Sequence, residues 1–296
     1  MTLRAFLVIV HWNQAEACLR TIGWFQDQDV DLEIAVVDNG SHPEELAALR
    51  AGLAIVTSHA SVELIEERAN LGFGPGANVG LRRWLSDPSG ADWAFLCPHD
   101  ARPGPGTLSR MLAEVAVEPL AGLACADVGD GQTPVNDPYF GGITRAGDDT
   151  PGWQDADYPH GTLMALRRSC IEEIGLFDER YFSYCEEADL GWRATRAGWK
   201  VGLIRGARVT NTHLGTAVPA VDYLQERNTL LLVRSMSGRY HVFIRLCISV
   251  LQLVSGIVTP SRRPLVFDAR ARVRGIADYL RGVTGPPPAD LYRRRA

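Results

Sequence analysis

Lysine is all but missing from this chain: Lys200 is the only one among 30 basic residues, and the rest are arginine. That skew points to a GC-rich genome rather than to a function. An excess of positive charge is missing too. The formal net charge is −5 over 296 residues, which argues against nucleic acid as a main partner, despite the basic end Arg293-Arg294-Arg295. Paired cysteine spacings are absent. Cys18, Cys97, Cys125, Cys170, Cys185 and Cys247 stand far apart, so neither a zinc site nor a disulfide framework is suggested, and a reducing cytoplasm fits. Long apolar runs are lacking as well. The longest, over 246–258, is interrupted by Ser249, Gln252 and Ser255 and falls short of the ~20 residues a bilayer needs, so no transmembrane helix is predicted. The opening run through Val10 is too short for the layout of a signal peptide and reads as a buried strand. What is present, 46% hydrophobic and 22% charged residues, describes a globular protein of one large domain or two small ones.

Strand and helix signals alternate through the first hundred residues, as a parallel sheet with crossover helices requires. Strands are predicted over 5–10, 31–37, 54–58, 62–65 and 93–97, with helices over 14–26 and 43–51 and a third opening from the glycine-rich loop 70–78 and running through Trp84. Ligands of open α/β sheets bind outside the carboxyl ends of the strands, which aligns His11 to Asn13, Asp38, the glycine loop and Asp100 on one rim. That loop lacks a lysine followed by serine or threonine and does not match the dinucleotide fingerprint. From Leu120 to about Asp157 the pattern weakens, and 127–152 reads as a surface loop or hairpin suited to substrate contacts. A strand over 162–166 and a helix over 168–174 follow. Strands are then predicted over 200–204 and 207–211, and helices over 221–235, 241–259 and 267–281.

The densest chemistry lies in the stretch from Phe177 to Arg193. Glu186, Glu187 and Asp189 crowd the start of a helix predicted to stop near Gly198, and three acids so close repel unless a cation, a reacting proton or arginine offsets them. The competing reading is a helix N-terminus favoured by its dipole, with Glu186, Asp189 and Arg193 on an ordinary solvated face. Asp38, for its part, reads either as a ligand-facing carboxylate or as the capping residue of an Asx-turn in Asp38-Asn39-Gly40-Ser41.

Several separate blocks resemble the family 2 glycosyltransferases, and within them the bacterial rhamnosyltransferase-like group. Leu7-Val8-Ile9-Val10-His11-Trp12-Asn13 is similar to the family's opening strand, and Val36-Val37-Asp38-Asn39-Gly40-Ser41 to its nucleotide-binding Asp block. Asn70-Leu71-Gly72-Phe73 with Asn78 resembles the loop that follows. Pro159-His160-Gly161-Thr162-Leu163-Met164 and Gly175-Leu176-Phe177-Asp178-Glu179, leading into Glu186-Glu187-Ala188-Asp189, resemble the acceptor side. The resemblance covers roughly 7–215. It implies an α/β GT-A fold, a Rossmann-like, mostly parallel mixed sheet flanked by helices. The expected division is a nucleotide-sugar half over 1–115, an acceptor and catalytic half over 116–215, and a C-terminal helical extension over 216–296.

By that resemblance Glu187 takes the place of the catalytic base of an inverting transfer, with Glu186 and Asp189 orienting the base or the acceptor. His11, Asn13, Asp38, Arg68, Asn70, Gly72, Asn78, His99 and Asp100 are the implied donor-binding residues, and Gly161 and Thr162 the acceptor side. A divalent metal, manganese or magnesium, is implied at Asp100 and His213, yet Pro98-His99-Asp100 offers one acid where the family usually has two. The implied partners are a nucleoside-diphosphate sugar, with a dTDP-sugar such as dTDP-rhamnose as first guess, and a hydroxyl acceptor in glycan, envelope or natural-product synthesis. The missing acid leaves a non-catalytic sugar-nucleotide-binding protein as an alternative, and the sheet a nucleotidyltransferase. Arginines flanking the 246–258 run suggest a cytoplasmic protein peripheral at the inner membrane face; packing on the core or on a second subunit is the competing reading.

Overall fold

The computed structural model describes residues 3–56, 62–87, 90–211, 218–264 and 266–292. The first strand, β1 (Arg4–His11), is buried after Arg4, and its run of phenylalanine, leucine, valine and isoleucine is what a strand covered on both faces needs. There follow α1 (Ala15–Gln26), β2 (Asp31–Asn39), α2 (Pro43–Val56), β3 (Val62–Glu67), α3 (Phe73–Leu85) and β4 (Trp93–Pro98). These four strands pair in parallel in the order β3-β2-β1-β4, the doubly wound half expected from the alternation. Alternate residues of β1 feed two cores, one on each face of the sheet. Leu7 and Ile9 meet Phe25 and Ile22 of α1, while Val8 and Val10 lie with Leu81 and Trp84 of α3. Each such buried side chain is worth about 1.5–3 kcal/mol.

The chain continues through β5 (Ala101–Pro103), α4 (Thr107–Val117), β6 (Ala121–Asp127), β7 (Gln132–Asp137), β8 (Gly141–Ala146), β9 (Gly152–Ala156), β10 (Met164–Arg167), α5 (Arg168–Ile174), α6 (Glu186–Arg196) and β11 (Lys200–Asn211). Strand β10 runs antiparallel between β4 and β6, and β11 extends the sheet to β5 and β9. One mixed sheet therefore spans both halves. β7 and β8 form a separate hairpin, as the weak pattern over 127–152 allowed.

Some expectations are corrected. Residues 54–56 are helical, continuing α2, and 57–58 lie outside the described residues. The two strands over 200–204 and 207–211 are one, with a register shift between Ile204 and Arg208 and Gly206 at φ 82° in the bend. β6 is a fully buried central strand read as a weak region, because its Ala-Gly-Leu-Ala-Cys-Ala-Asp sequence lacks β-branched residues.

Two helices close the chain: α7 (Val218–Val258), broken at Gly238 (φ 82°), and α8 (Ala269–Leu280). Before the break, Ala220, Tyr223, Leu224 and Leu232 pack on Tyr181, Phe182 and Ala188 beside the acidic cluster. Beyond it the helix is inside out. Val242, Arg245, Ser249 and Gly256 are buried, whereas Phe243, Val250, Leu251, Val254, Ile257 and Val258 are exposed, Leu251 by 68%. By length and composition α7 could cross a membrane, which the interrupted run 246–258 did not suggest. Its inner face is nonetheless held against the domain.

Candidate active site

Strand register makes the first contact of the rim. His11 on β1 stands opposite Asp38 on β2, and His11 Nδ1 lies 2.9 Å from Asp38 Oδ1, both residues being fully buried. Ser41 N donates to Asp38 Oδ2 at 3.2 Å, so the Asx-turn reading holds. Burial pushes the Asp38 carboxyl up, but hydrogen bonds from His11 and Ser41 outweigh it and hold the group below the usual carboxylate range. Asp38 itself stands behind the cavity wall. His11 Nε2 accepts from Gln14 N at 3.2 Å, and the His99 ring meets His11 edge-on at 5.6 Å; Gln14 and His99 are the residues that face the cavity.

The glycine loop and the acidic loop are fastened together. Asn39 Nδ2 donates to Gly72 O at 2.8 Å, and Asn39 Oδ1 accepts from Leu71 N at 3.0 Å. Asn70 Oδ1 accepts from Gly72 N at 2.8 Å. Gly72 sits at φ 95°, and a Cβ there would run into Phe182 O, so the position demands glycine. Phe73 N then donates to Ser183 Oγ at 2.9 Å. Asn78, fully buried, donates to Phe177 O at 2.9 Å and accepts from Phe177 N at 3.0 Å. These bonds occupy the side chains of Asn70 and Asn78 in loop anchoring, and neither lines the cavity. Asn13 (φ 53°) likewise ties β1 to the next turn, its Oδ1 accepting from His42 N at 2.7 Å. Arg68 is exposed, outside the lining.

A cavity of about 740 Å³ lies where these loops meet the C-terminal helices. Of the residues singled out from sequence, His99, Asp100, Gly161, Thr162, Glu186 and Glu187 line it; His11, Asn13, Asp38, Arg68, Asn70, Gly72, Asn78 and Asp189 do not. His213 lies outside the described residues. Asp189 turns to the opposite side of α6, where its Oδ2 accepts from Arg193 Nε at 2.8 Å; the i, i+4 pair exists, but buried rather than solvated. Sequence reasoning missed Tyr158, His160, Asn211 and the helical wall Asp222, Glu226, Arg245 and Arg272. His160 was within reach, since it stands in the same block as Gly161. Burial pushes its imidazole down, and Thr162 Oγ1 lies 3.0 Å from His160 Nδ1.

Glu186 and Glu187 form a coupled carboxyl pair at the N-terminus of α6. Glu186 is 1% exposed, and among the described residues no donor reaches its Oε2. Burial first, then the charge of Glu187, pushes Glu186 well above the carboxylate range. Glu187 is raised too, chiefly by burial, while a hydrogen bond from Glu186 works the other way. Two carboxylates in contact cannot both ionise cheaply. Glu186, raised further, is the member that holds a proton and donates it toward Glu187, whose carboxyl is the proton-accepting partner on the cavity wall. Gly161 gives that carboxylate room, for a Cβ there would collide with Glu187 Oε1.

The pair has a stability signature. In the unfolded chain Glu186 ionises above pH ~4.3, whereas the native chain retains the proton, so the native state binds more protons and stability falls as pH rises from ~4.3 to the raised native pKa. Glu186→Gln removes this titration while its amide still donates to Glu187. In urea unfolding the mutant should gain on wild type by about 1.4 kcal/mol per pH unit above pH ~4.3. A difference independent of pH would show that Glu186 is not protonated in the native state.

A Rossmann-like mixed sheet with its cavity at the strand ends, and an acid pair facing that cavity, define the class: a glycosyltransferase of the GT-A fold. The chain belongs to glycosyl transferase family 2, whose model matches residues 6–175. It is 28% identical over 185 residues to the N-acetylglucosaminyl-diphospho-decaprenol L-rhamnosyltransferase of Mycobacterium tuberculosis, a match covering 53% of this chain and 60% of the relative. The chain thus spans less than two thirds of that relative's length. Among solved structures it resembles the mannosyltransferase PcManGT of Pyrobaculum calidifontis in complex with GDP-Man and Mn2+, at TM-score 0.62 and 14% identity, over 95% of this chain and 88% of the other. GalNAc-T7 with UDP, GalNAc and Mn2+ matches at TM-score 0.63 and 14% identity, over 94% and 55%. At these identities the two structures show the fold alone.

Proposed function

We propose that the protein transfers a sugar from a nucleoside diphosphate to a hydroxyl of a lipid-linked glycan acceptor, with inversion, and that Glu187 is the base. The observation that carries the reading is the pair of adjacent acids lining the cavity; burial raises both carboxyls, Glu186 further than Glu187, which favours Glu187 as the proton acceptor. Glu187 takes the acceptor hydroxyl's proton as that oxygen bonds to the anomeric carbon. The bond from that carbon to the diphosphate oxygen breaks on the opposite face, and the nucleoside diphosphate leaves with the electron pair. The donor lies at the strand-end rim beside Gln14, His99 and Asp100, with Thr162 and His160 on the acceptor side. The mycobacterial relative is an L-rhamnosyltransferase, which suggests rhamnose as the sugar moved, and the family resemblance makes dTDP its first-choice carrier.

A divalent metal accompanies the nucleotide in both solved neighbours. Here Asp100 would be its carboxylate, with His99 alongside. His213, the other implied ligand, lies outside the described residues, and no step is routed through a metal.

The outward apolar face of α7, with Arg234 and Arg239 exposed near the break, suits the surface of an anionic bilayer, where the protein would sit peripherally at the cytoplasmic side. The experiment is transfer from a panel of nucleotide sugars to a diphosphate-linked N-acetylglucosamine lipid in phosphatidylglycerol vesicles. We expect a product with the anomeric configuration reversed and protein that sediments with the vesicles. Absence of any product, or of nucleoside-diphosphate release, across the panel would defeat the reading.

A further inference from the structure

Arg245 is an incompletely satisfied charge in the cavity wall, its guanidinium lying over the Phe140 ring at 5.6 Å. It is 7% exposed, its Nε is buried without a partner among the described residues, and its ion pair with Glu226 is loose at 3.6 Å. The neighbouring acids have closer partners, although Asp222 Oδ1 has only its ion pair with Arg272 at 2.9 Å. Asp222 Oδ2 accepts from Asp268 N at 2.6 Å and from Arg272 Nε at 3.0 Å, and Glu226 Oε1 accepts from Ser249 Oγ. Glu226 Oε2 is left shared between Arg245 and Arg272, which lies 3.7 Å away. Leaving a buried charged donor unpaired is expensive, and a guanidinium presents its Nε and a terminal nitrogen as a fork that suits two oxygens of one phosphate.

The position of this fork is telling. It stands on the buried, polar side of the inside-out helix, lines the same cavity as Glu187, and comes from an element with no part in the strand-end rim where the donor lies. On the other side of the same helix run the exposed Val250, Leu251 and Val254. We propose that Arg245, backed by Arg272, is the subsite for a phosphate or diphosphate group of the acceptor, holding it where its apolar chain can leave along that outer face. This rests on the functional reading above and adds the acceptor's anionic group and the residue that takes it.

The test uses calorimetric titration of the full chain with three probes: a nucleoside diphosphate for the donor side, farnesyl diphosphate below its critical micelle concentration, and inorganic pyrophosphate. Arg245→Met should weaken farnesyl diphosphate about tenfold or more, the loss of a bidentate charged contact, and leave nucleoside diphosphate affinity within about twofold. Pyrophosphate alone should bind wild type more weakly than farnesyl diphosphate if the anion arrives on a lipid, and as tightly if free phosphate suffices. Either result keeps the anion subsite and tells its source. Farnesyl diphosphate binding that is unchanged in the mutant overturns the proposal, as does an equal loss for the nucleoside diphosphate, which would put Arg245 in the donor site. Should the methionine variant not fold, Arg245→Gln carries the same comparison, and unchanged affinity there overturns it equally. Failure of wild type to bind any nucleoside diphosphate would instead strike the functional reading and leave the farnesyl arm interpretable.

Discussion

Glu187→Gln should lower kcat by about 10²–10⁴-fold, the usual worth of a positioned general base, while the affinity for nucleoside diphosphate stays within about twofold of wild type. The amide has the same shape but cannot accept a proton at its nitrogen, so positioning survives and proton removal does not. Instability does not explain such a loss, because the glutamine carbonyl still accepts the proton of Glu186 and a buried charge is removed, which should leave the fold as stable or more so. The pH profile supplies a second readout. Burial raises Glu187, so the acid limb of kcat/KM should fall at a pH above the ~4.3 of an ordinary glutamate, with activity present above that limb and lost below it. Steady-state release of nucleoside diphosphate between pH 4 and 9, paired with thermal shift in the presence of the nucleotide, measures both. A glutamine variant retaining more than about a tenth of the wild-type kcat would remove Glu187 from proton transfer.

Much of this site is written in local pattern. The strands over 5–10 and 31–37, the glycine loop opening a helix and the acids at the start of α6 all stand where residue type and period put them, since each follows from neighbours in sequence. Which acid faces the ligand does not follow so directly. Glu187 and Asp189 stand two positions apart on a helix and so on opposite sides, but which side faces the cavity is set by packing, with Tyr181 and Arg193 holding Asp189 on the far side. Asp38 fits its family block, yet the cross-strand partner His11, set by register, decides that it meets the cavity at one remove. The largest omission is the C-terminal wall. An apolar stripe in sequence announces a buried face, and in α7 the stripe is outside, so Arg245 passes for a flanking surface charge when it lines the cavity.

Asn228→Ala is expected to cost about 3 kcal/mol or more and to depress kcat in the molecules that remain folded. The reason lies in the loop that delivers the acid pair. Phe182, Tyr184 and Cys185 all have left-handed backbones, at φ 68°, 69° and 73°, and none is glycine. Each such residue costs about 1–2 kcal/mol, so the loop keeps its shape only under external constraint. Asn228, fully buried on α7, supplies it: the two N–H bonds of Nδ2 are shared among Tyr181 O at 2.9 Å, Ser183 O at 2.8 Å and Tyr184 O at 2.9 Å. Arg227 Nε fixes the amide by donating to Asn228 Oδ1 at 3.0 Å, and its terminal nitrogen adds a bond to Tyr181 O at 3.2 Å. Removing the amide strands buried carbonyls and frees strained residues to relax toward negative φ. Glu186 and Glu187 follow immediately in the chain, so the helix start must shift with them, and a displacement of about 1 Å is enough to cost on the order of 10²-fold in rate. Urea unfolding gives the stability term. Turnover at low temperature, with native circular dichroism confirmed, gives the other, and a variant that loses stability but keeps wild-type kcat there would reduce Asn228 to a brace with no bearing on catalysis.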